Sequence, residues 1–189
     1  MRKAKKLLQF AFYKKHFEKN QGKYHPKRKK LKMKILVFSD SHGNDIYMRK
    51  AIKMHPDAEA IIFLGDGTSD FLALPSGNSA KLYVRGNCDW HPSHSNIPLI
   101  DSITLNNKKI VFLHGHTHGA KSGMDTLHAL GKDMSADIVL FGHTHVAAEH
   151  YDDGIYYLNP GSIGGVSVPP TFGIITLREN GILLSHGKF

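Results

Sequence analysis

Five short apolar runs recur along this chain, and each one ends directly in a block of polar side chains. Short runs rich in Ile, Val, Leu and Phe are typical of buried β-strands and are too short to indicate helices. We expect strands of one sheet to deliver all five polar blocks to one edge, where the carboxyl ends of parallel strands meet. The runs occupy residues 35–38, 61–64, 82–84, 110–113 and 138–141.

The spacing between these runs predicts a single α/β domain. Helices over about 45–54 and 69–74 alternate with the first strands, which is typical of a parallel sheet flanked by helices. A further helix is predicted over about 124–132. We expect the last two of three hairpins to form the second sheet of a two-sheet β-sandwich flanked by helices. The hairpins pair 100–105 with 109–113, 146–151 with 155–158, and 172–177 with 182–186.

Side chains that commonly bind metal ions follow the apolar runs. Asp40 and His42 are separated by one residue beside Gly43, so a turn there can direct both side chains at one ion. Asp66 stands between two glycines, and the two oxygens of a carboxylate can bridge two cations. The whole set is sufficient to hold two divalent ions side by side. It consists of Asp40, His42, Asp66, Asn87, His114, His143 and His145.

Two members of this set depend on the others for their assignment. Asn87 lies in a loop, where asparagine usually serves turn chemistry. His114 competes with His116 and His118 in the same short segment, and we favour His114 because it comes directly off the strand. His116 and His118 would then lie beside the site, where an imidazole can move protons or contact substrate. Each motif alone is typical of an ordinary turn, but five in order favour a metal site.

The excess of basic residues is confined to the N-terminus. Residues 1–32 hold 13 lysines and arginines against one acid, whereas the rest of the chain holds 12 basic and 15 acidic residues. We interpret this extension as a disordered tail, with a basic amphipathic helix that contacts nucleic acid or an anionic membrane surface as the alternative. Because Met33 begins a segment that resembles a protein start, residues 1–32 are alternatively not part of the native protein. The domain is assigned to residues 33–189.

Two further features indicate a cytoplasmic protein. Cys88 is the one cysteine of the chain, which excludes an intramolecular disulfide and favours a reducing compartment. No apolar run approaches the roughly 20 residues needed to span a bilayer. The apolar stretch near the N-terminus is interrupted by basic residues before it reaches the length of a secretory signal core. We therefore predict a cytoplasmic location.

The motifs in this order resemble the calcineurin-like metallophosphoesterase superfamily. Its pattern is Asp-x-His, Gly-Asp, Gly-Asn-His-Asp or Gly-Asn-Cys-Asp, a histidine after a strand, and Gly-His-x-His, and the resemblance covers residues 33–189. The Gly-Asn-Cys-Asp block and the segment 159–162 are similar to the small YfcE-like phosphodiesterases. The resemblance implies that one ion is bound by Asp40, His42, Asp66 and His145, and the other by Asp66, Asn87, His114 and His143.

The resemblance also implies an activity, the hydrolysis of a small phosphodiester by a hydroxide that bridges two metal ions. Two ions about 3.5 to 4 Å apart lower the pKa of bound water toward about 7 and hold the phosphoryl oxygens for in-line attack. Ligands of this mixed type suit Mn²⁺, Fe²⁺, Zn²⁺ or Ni²⁺, and the resemblance favours Mn²⁺. The residues expected to act in catalysis are Asp66, Asn87, His114 and His116.

Cysteine at position 88 alters the chemistry that we expect. Many larger members of the superfamily have a histidine there that helps to protonate the leaving group. In this chain the leaving alcohol is protonated by a metal-bound water, by His116 or His118, or not at all, so we expect a preference for good leaving groups. We interpret Cys88 as a small, partly buried residue. Asp89 is a candidate to orient its neighbours and Arg85 to neutralise phosphate, with a structural salt bridge as the alternative for each.

A scaffold without catalytic activity is the alternative function. The retromer subunit that shares this fold resembles these phosphoesterases, but relatives of that type lack part of the ligand set. All seven positions carry competent side chains in this chain, which favours an enzyme. A P-loop nucleotide hydrolase is disfavoured because the chain has no GxxxxGK[ST] segment.

Overall fold

Two five-stranded sheets form the framework of residues 32–75, 77–165 and 169–189, which the computed structural model describes. The prediction of a two-sheet sandwich flanked by helices is confirmed. Apart from residue 32, the predicted basic extension lies outside the described residues.

The first sheet combines three parallel strands with an antiparallel hairpin. Its strands are β1 (Lys32–Phe38), β2 (Ala60–Phe63), β3 (Ala80–Tyr83), β9 (Thr171–Arg178) and β10 (Gly181–Lys188). Their order across the sheet is β10-β9-β1-β2-β3. The pairs β1–β2 and β2–β3 are parallel, whereas β9 runs antiparallel to both β1 and β10.

The β9–β10 hairpin forms as predicted over 172–177 and 182–186, but its assignment to the second sheet is wrong. The reason lies in the two apolar faces of β9. Ile175 and Leu177 pack into the core between the sheets, while Phe172 packs into the cluster on the opposite face of the sheet. A strand that is apolar on both faces must lie inside a covered sheet, and β9 gains this position between β1 and β10.

The second sheet is also mixed. Its strands are β4 (Ile100–Leu105), β5 (Lys108–Leu113), β6 (Ile138–Phe141), β7 (Ala147–Asp152) and β8 (Ile155–Pro160), in the order β4-β5-β6-β8-β7. The β4–β5 turn contains Asn106 and Asn107 at φ 48° and 60°, the left-handed conformation that a tight two-residue hairpin requires. The predicted β4–β5 and β7–β8 hairpins are therefore confirmed.

Three apolar clusters divide the molecule into four layers. One cluster lies between the two sheets. The second lies between the first sheet and helices α1 (Ile46–Met54) and α2 (Thr68–Ala73), and the third lies between the second sheet and helix α3 (Asp125–Asp133). The bounds of all three helices agree with the predicted ones to within one residue. None of the helices in the described ranges is long and apolar enough to cross a membrane.

The expectation that one sheet delivers all five polar blocks is wrong. β1, β2 and β3 deliver three blocks from the first sheet, and β5 and β6 deliver two from the second. The blocks still meet because the shared core stacks the two sheets with the carboxyl ends of both parallel sets at one end. His114, which follows β5, lies with its Nδ1 atom 3.0 Å from the carbonyl oxygen of Leu64, which follows β2.

The core between the sheets generates a stability prediction. Leu140 on β6 is fully buried there, whereas Leu183 on the edge strand β10 is 48% exposed. We expect Leu140→Ala to lower the free energy of unfolding by about 2–5 kcal/mol, because the change leaves a cavity. The matched Leu183→Ala change should cost less than about 1 kcal/mol. Urea unfolding monitored by circular dichroism measures both, and similar losses in the two variants would contradict the assigned core.

Candidate metal centre

Backbone hydrogen bonds fasten together the loops that carry the predicted ligands. The amide of Asp40 donates to the carbonyl of Gly65 at 3.0 Å, and the amide of His42 donates to the carbonyl of Asp66 at 3.1 Å. Ser162 holds the same loop from the other side, since its hydroxyl donates to the carbonyl of Asp40 at 2.8 Å. The loops after β1 and β2 therefore form one rigid support.

Five of the predicted ligands have left-handed backbone conformations, with φ between 47° and 68°. Residues other than glycine rarely adopt this region, and each instance costs on the order of 1–3 kcal/mol unless the surroundings enforce it. Such strain concentrates at functional sites, because it directs side chains that a regular strand would send elsewhere. The five residues are Asp40, His42, Asp66, His143 and His145.

Asp40 lies at the centre of the first group of ligands. Its Oδ1 atom is 3.2 Å from His145 Nε2, 3.7 Å from His42 Nε2 and 3.9 Å from His114 Nε2. The Nε2 atoms of His42 and His145, whose side chains are partly exposed, lie 3.2 Å from each other. Asp40 is fully buried, and its Oδ1 atom has no hydrogen bond of normal geometry. The carboxylate of Asp40 raises the pKa of His145.

A second group joins Asp40 to Asp66 and His114. His114 Nε2 lies 3.3 Å from Asp66 Oδ2, while its Nδ1 atom donates to the carbonyl of Leu64. Burial opposes ionisation of Asp66, but His114 and the backbone amide of Cys88 outweigh it and lower the pKa of the carboxyl. Burial likewise opposes protonation of His114, yet Asp66 and Asp40 raise its pKa. His114 Nε2 is buried without a hydrogen bond.

These groups fit divalent metal ions. Within the described chain, three sets of ligand atoms converge to within 4.8 Å of one another at this end of the sandwich. Two buried carboxylates face imidazole nitrogens and leave Asp40 Oδ1 and His114 Nε2 without hydrogen bonds, which is the arrangement that a cation completes. The sets are Asp40–His42–His145, Asp40–Asp66–His114 and His42–Asp66–Cys88.

The two remaining predicted ligands lie beside these sets. The ring centroid of His143 is 5.1 Å from that of His114, and the backbone amide of His143 donates to Asp40 Oδ2 at 3.2 Å. Asn87 is exposed, and its side-chain amide contacts Cys88 Sγ at 3.3 Å. The structure therefore brings all seven residues to one end of the molecule, but places five of them in closer mutual contact than His143 and Asn87.

His116 is nearer to the centre than its position in a histidine-rich segment alone would indicate. It begins the 3₁₀ turn His116–His118, and its ring centroid lies 5.4 Å from that of His114. Burial and the neighbouring His114 lower the pKa of His116, and its Nδ1 atom is buried without a hydrogen bond. His118 Nδ1 instead lies 2.9 Å from the hydroxyl of Thr117.

Asp89 organises the loop that presents Asp66. Its carboxylate accepts five hydrogen bonds of 2.7–3.0 Å, from the backbone amides of Asp66, Gly67, Thr68 and Gly86 and from the hydroxyl of Thr68. Burial acts to raise the pKa of Asp89, but these donors outweigh it and lower the pKa. The geometry therefore agrees with the orienting role of Asp89, which was one of two alternatives from the sequence.

Gly86, in the same block, lies where the backbone approaches the side chain of Asp66 closely. A Cβ atom on Gly86 would lie 2.0 Å from Asp66 Oδ1. Arg85, the preceding residue, donates from Nε to the carbonyl of Ile97 at 3.1 Å, so it anchors the following loop, and it forms no salt bridge with the acidic residues that the structure describes. Its side chain is therefore a support for the loop.

Asn159 is a supporting residue whose role sequence reasoning missed. Its side-chain amide donates to the carbonyl of Gly142 and to the hydroxyl of Thr144, each at 3.0 Å, which fixes the loop that carries His143 and His145. The Asn-Pro-Gly-Ser segment was the sequence signal that could have indicated this role. The segment indicates the resemblance to a family, but the contacts of Asn159 depend on β8 lying beside β6.

Cys88 is exposed, contrary to the expectation of a partly buried residue. Local loss of hydration and the charges of Asp66, Asp89 and Asp40 raise the pKa of its thiol to about 11. This raised pKa disfavours a free thiolate nucleophile near neutral pH.

A cleft of about 360 Å³ opens beside the ligand sets. Its lining includes His42, Asp66 and Cys88 from the ligand sets, together with Trp90, His91 and His94. The loop after β3 therefore borders a cleft beside the candidate metal centre.

One further group of possible ligands lies away from this centre. His128 on α3 and His150 and Asp152 on β7 place ligand atoms within 4.8 Å of one another. His128 Nδ1 lies 3.4 Å from Asp152 Oδ2, as in an ordinary ion pair. This surface group matters because it can add to the metal content of the protein.

Comparison with known proteins agrees with this geometry. The profile of the calcineurin-like phosphoesterase superfamily domain matches residues 33–180. The chain is 31% identical over 150 residues to the probable metallophosphoesterase YsnB of Bacillus subtilis, a match that covers 78% of this chain and 86% of that relative. It is 28% identical over 159 residues to the phosphodiesterase YfcE of Escherichia coli, covering 72% and 81% of the two chains.

Two further comparisons concern a relative of a different kind and a solved structure. The chain is 39% identical over 140 residues to vacuolar protein sorting-associated protein 29 of Schizosaccharomyces pombe, covering 70% of this chain and 73% of that one. The crystal structure of a predicted phosphoesterase from Streptococcus pneumoniae superposes with a TM-score of 0.69 at 23% identity, covering 83% and 90%. The latter comparison confirms the fold.

The hydrogen bonds of Asp89 generate a stability prediction. We expect Asp89→Asn to lower the free energy of unfolding by about 3 kcal/mol, because an amide offers one acceptor oxygen to donors that now share two. Asp57→Asn is the matched control, since Asp57 is largely exposed and pairs with Lys34 at the surface; it should cost less than about 1 kcal/mol. Urea unfolding at neutral pH gives both values, and equal losses would contradict the organising role of Asp89.

Proposed function

The chain belongs to the calcineurin-like phosphoesterase superfamily, and from this premise we propose that it hydrolyses small phosphodiesters at a centre of two divalent metal ions. The observation that carries the proposal is the buried Oδ1 atom of Asp40, which lacks a hydrogen bond and faces three imidazole nitrogens at 3.2–3.9 Å. An ionised carboxylate in such a position needs a compensating cation.

The ligand chemistry supports transition metals. Imidazole nitrogen together with carboxylate and amide oxygen suits Mn²⁺, Fe²⁺, Zn²⁺ or Ni²⁺ better than a site made only of oxygen would. Mn²⁺ is the ion that we propose. Asp66 is the proposed bridge between the two ions, since its carboxylate offers two oxygens and its Oδ2 atom lies 3.3 Å from His114 Nε2. The proposed ligands are Asp40, His42, Asp66, Asn87, His114, His143 and His145.

Two ions bound there would neutralise the charge of the diester and activate a water molecule for attack on phosphorus. The protein's own contribution is to hold its groups in place before the substrate arrives. His114 donates through Nδ1 to the carbonyl of Leu64, which keeps Nε2 directed at the centre. The exposed amide of Asn87 is available to a phosphoryl oxygen. Asp66, Asn87, His114 and His116 are the residues that we propose to act on the substrate.

We propose His116 as the general acid that donates a proton to the leaving alcohol. Its ring lies among the candidate ligands, with its centroid 5.4 Å from that of His114 and 6.2 Å from that of His143. Cys88 takes the position where many larger members of the superfamily have a histidine, and its thiol keeps its proton too firmly to serve well as an acid.

A non-catalytic scaffold is the second candidate function. It is favoured by the 39% identity to vacuolar protein sorting-associated protein 29, which exceeds the identity to the phosphodiesterase YfcE. The candidate ligand set favours the enzyme, because all seven of its positions carry side chains that can bind a metal ion.

Metal content and turnover test the main proposal together. We expect the wild-type protein to hydrolyse a chromogenic aryl phosphodiester faster than the matching monoester, with activation by Mn²⁺. Asp66→Asn should reduce kcat/KM by more than about 100-fold, because it removes the bridging ligand. Plasma mass spectrometry should show the loss of bound metal in the same variant.

His150→Ala provides the control for metal counting. It removes one member of the surface group that includes His128 and Asp152, so any ion held there is lost while turnover is unchanged. Two metal equivalents that survive His150→Ala and are lost in Asp66→Asn would agree with the proposal. A protein that binds no metal and shows no metal-dependent turnover would leave the scaffold as the better conclusion.

The leaving-group proposal has its own test. For a diester with a poor alkyl leaving group, we expect His116→Ala to lower kcat by about 100-fold, because proton transfer limits that reaction. An aryl diester should be little affected, since its leaving group needs no proton. His118→Ala is the matched control and should leave both rates near wild type. Unchanged alkyl diester rates in both variants would exclude histidine as the acid.

A further inference from the structure

Trp90 has an unusual position for a tryptophan. It is the only tryptophan of the chain and is 86% exposed, more than any other large hydrophobic residue in the described ranges. A tryptophan is normally largely buried, so an exposed ring at this position calls for a partner. The ring stands at the edge of the cleft that also contains His42 and Asp66.

The backbone beneath Trp90 is firmly held although its ring is in solvent. The preceding residue, Asp89, accepts five hydrogen bonds from the loops around Asp66 and Gly86. The amide of Trp90 donates to the carbonyl of Cys88 at 3.1 Å and closes a tight turn. A ring on so fixed a support loses little freedom when a ligand covers it, which favours binding.

The remaining lining of the cleft suits the edge of a polar, planar group. His91 and His94 stand with ring centroids 5.5 Å apart, and both line the cleft. His94 is only 6% exposed and its Nε2 atom lies 3.4 Å from Ser69 Oγ, so the exposed His91 is the more accessible of the two imidazoles. The volume of about 360 Å³ is at the small end of the range for ligand sites, which fits one nucleotide unit.

We propose that Trp90 is a stacking platform for the base of a nucleoside phosphodiester whose phosphate lies at Asp66. The inference rests on the proposed function and specifies its substrate class. The base stacks on the indole face, the sugar crosses the cleft, and the phosphate reaches the ligand sets beside His42. Stacking of a base on an aromatic side chain contributes binding that corresponds to roughly 5- to 150-fold in affinity.

Fluorescence tests this proposal without any turnover. Because Trp90 is the only tryptophan, indole emission from the protein reports on this ring alone. We expect adenosine 5′-monophosphate to quench the emission and to bind at least about 5-fold more tightly than ribose 5-phosphate, which has the same phosphate and no base. Equal quenching and equal affinity for the two ligands would overturn the stacking platform, whatever the outcome for hydrolysis.

Kinetics with matched diesters provide the second arm. We expect Trp90→Ala to raise KM for the methyl diester of adenosine 5′-monophosphate by roughly 5- to 150-fold with kcat nearly unchanged. The methyl diester of ribose 5-phosphate should be unaffected, and Trp90→Phe should restore part of the loss. Tyr151→Ala is the control, since Tyr151 is an exposed aromatic residue on β7, outside the cleft.

The two arms separate the failure of the stacking proposal from the failure of the proposed function. If the wild-type protein hydrolyses neither diester but its fluorescence distinguishes the two monophosphates, the stacking platform stands and the diesterase proposal fails. If both diesters are hydrolysed and Trp90→Ala changes their KM values equally, the diesterase stands and the stacking platform is wrong.

Discussion

Two buried carboxylates at the seam between the sheets are the constraint on which the rest of this structure depends. Asp40 and Asp66 lie at the ends of neighbouring parallel strands, and within the described chain each of their ion-pair partners is a histidine. Burying an ionised carboxylate is costly unless a cation or several donors compensate it. The seam therefore favours a bound cation, and the histidines that face it come from both sheets, His42 after β1 and His114 and His145 after β5 and β6.

The backbone around these carboxylates stores strain that the sandwich must sustain. Five predicted ligands adopt left-handed conformations, and Gly65, Gly67 and Gly142 beside them allow contacts that any side chain would block. Asp89 and Asn159 compensate by binding the backbone of the two ligand loops. Two packed sheets with a common core can hold such geometry because neither can shift without breaking the core that they share.

The centre has a closed side and an open side, which determines how a substrate would approach. Asp40 and His114 are fully buried, whereas Cys88 is exposed beside the cleft and Trp90 stands at its edge. A diester would therefore meet the ligand sets through His42 and the loop after β3. That loop carries a protonated thiol where many larger members of the superfamily have a histidine, so the metal ions and His116 would carry more of the chemistry.

The sequence by itself determined the ends of the elements and the order of the ligands. Apolar runs indicate buried segments, and motifs such as Asn106–Asn107 indicate tight turns. Strands, helices and hairpins could therefore be predicted from neighbouring residues. Only the tertiary structure decided that β9 completes the first sheet, that the proposed ligands come from two sheets, and that Trp90 borders the cleft. These features depend on contacts between residues far apart in the chain, and the local patterns that specify an element do not specify which distant element packs against it.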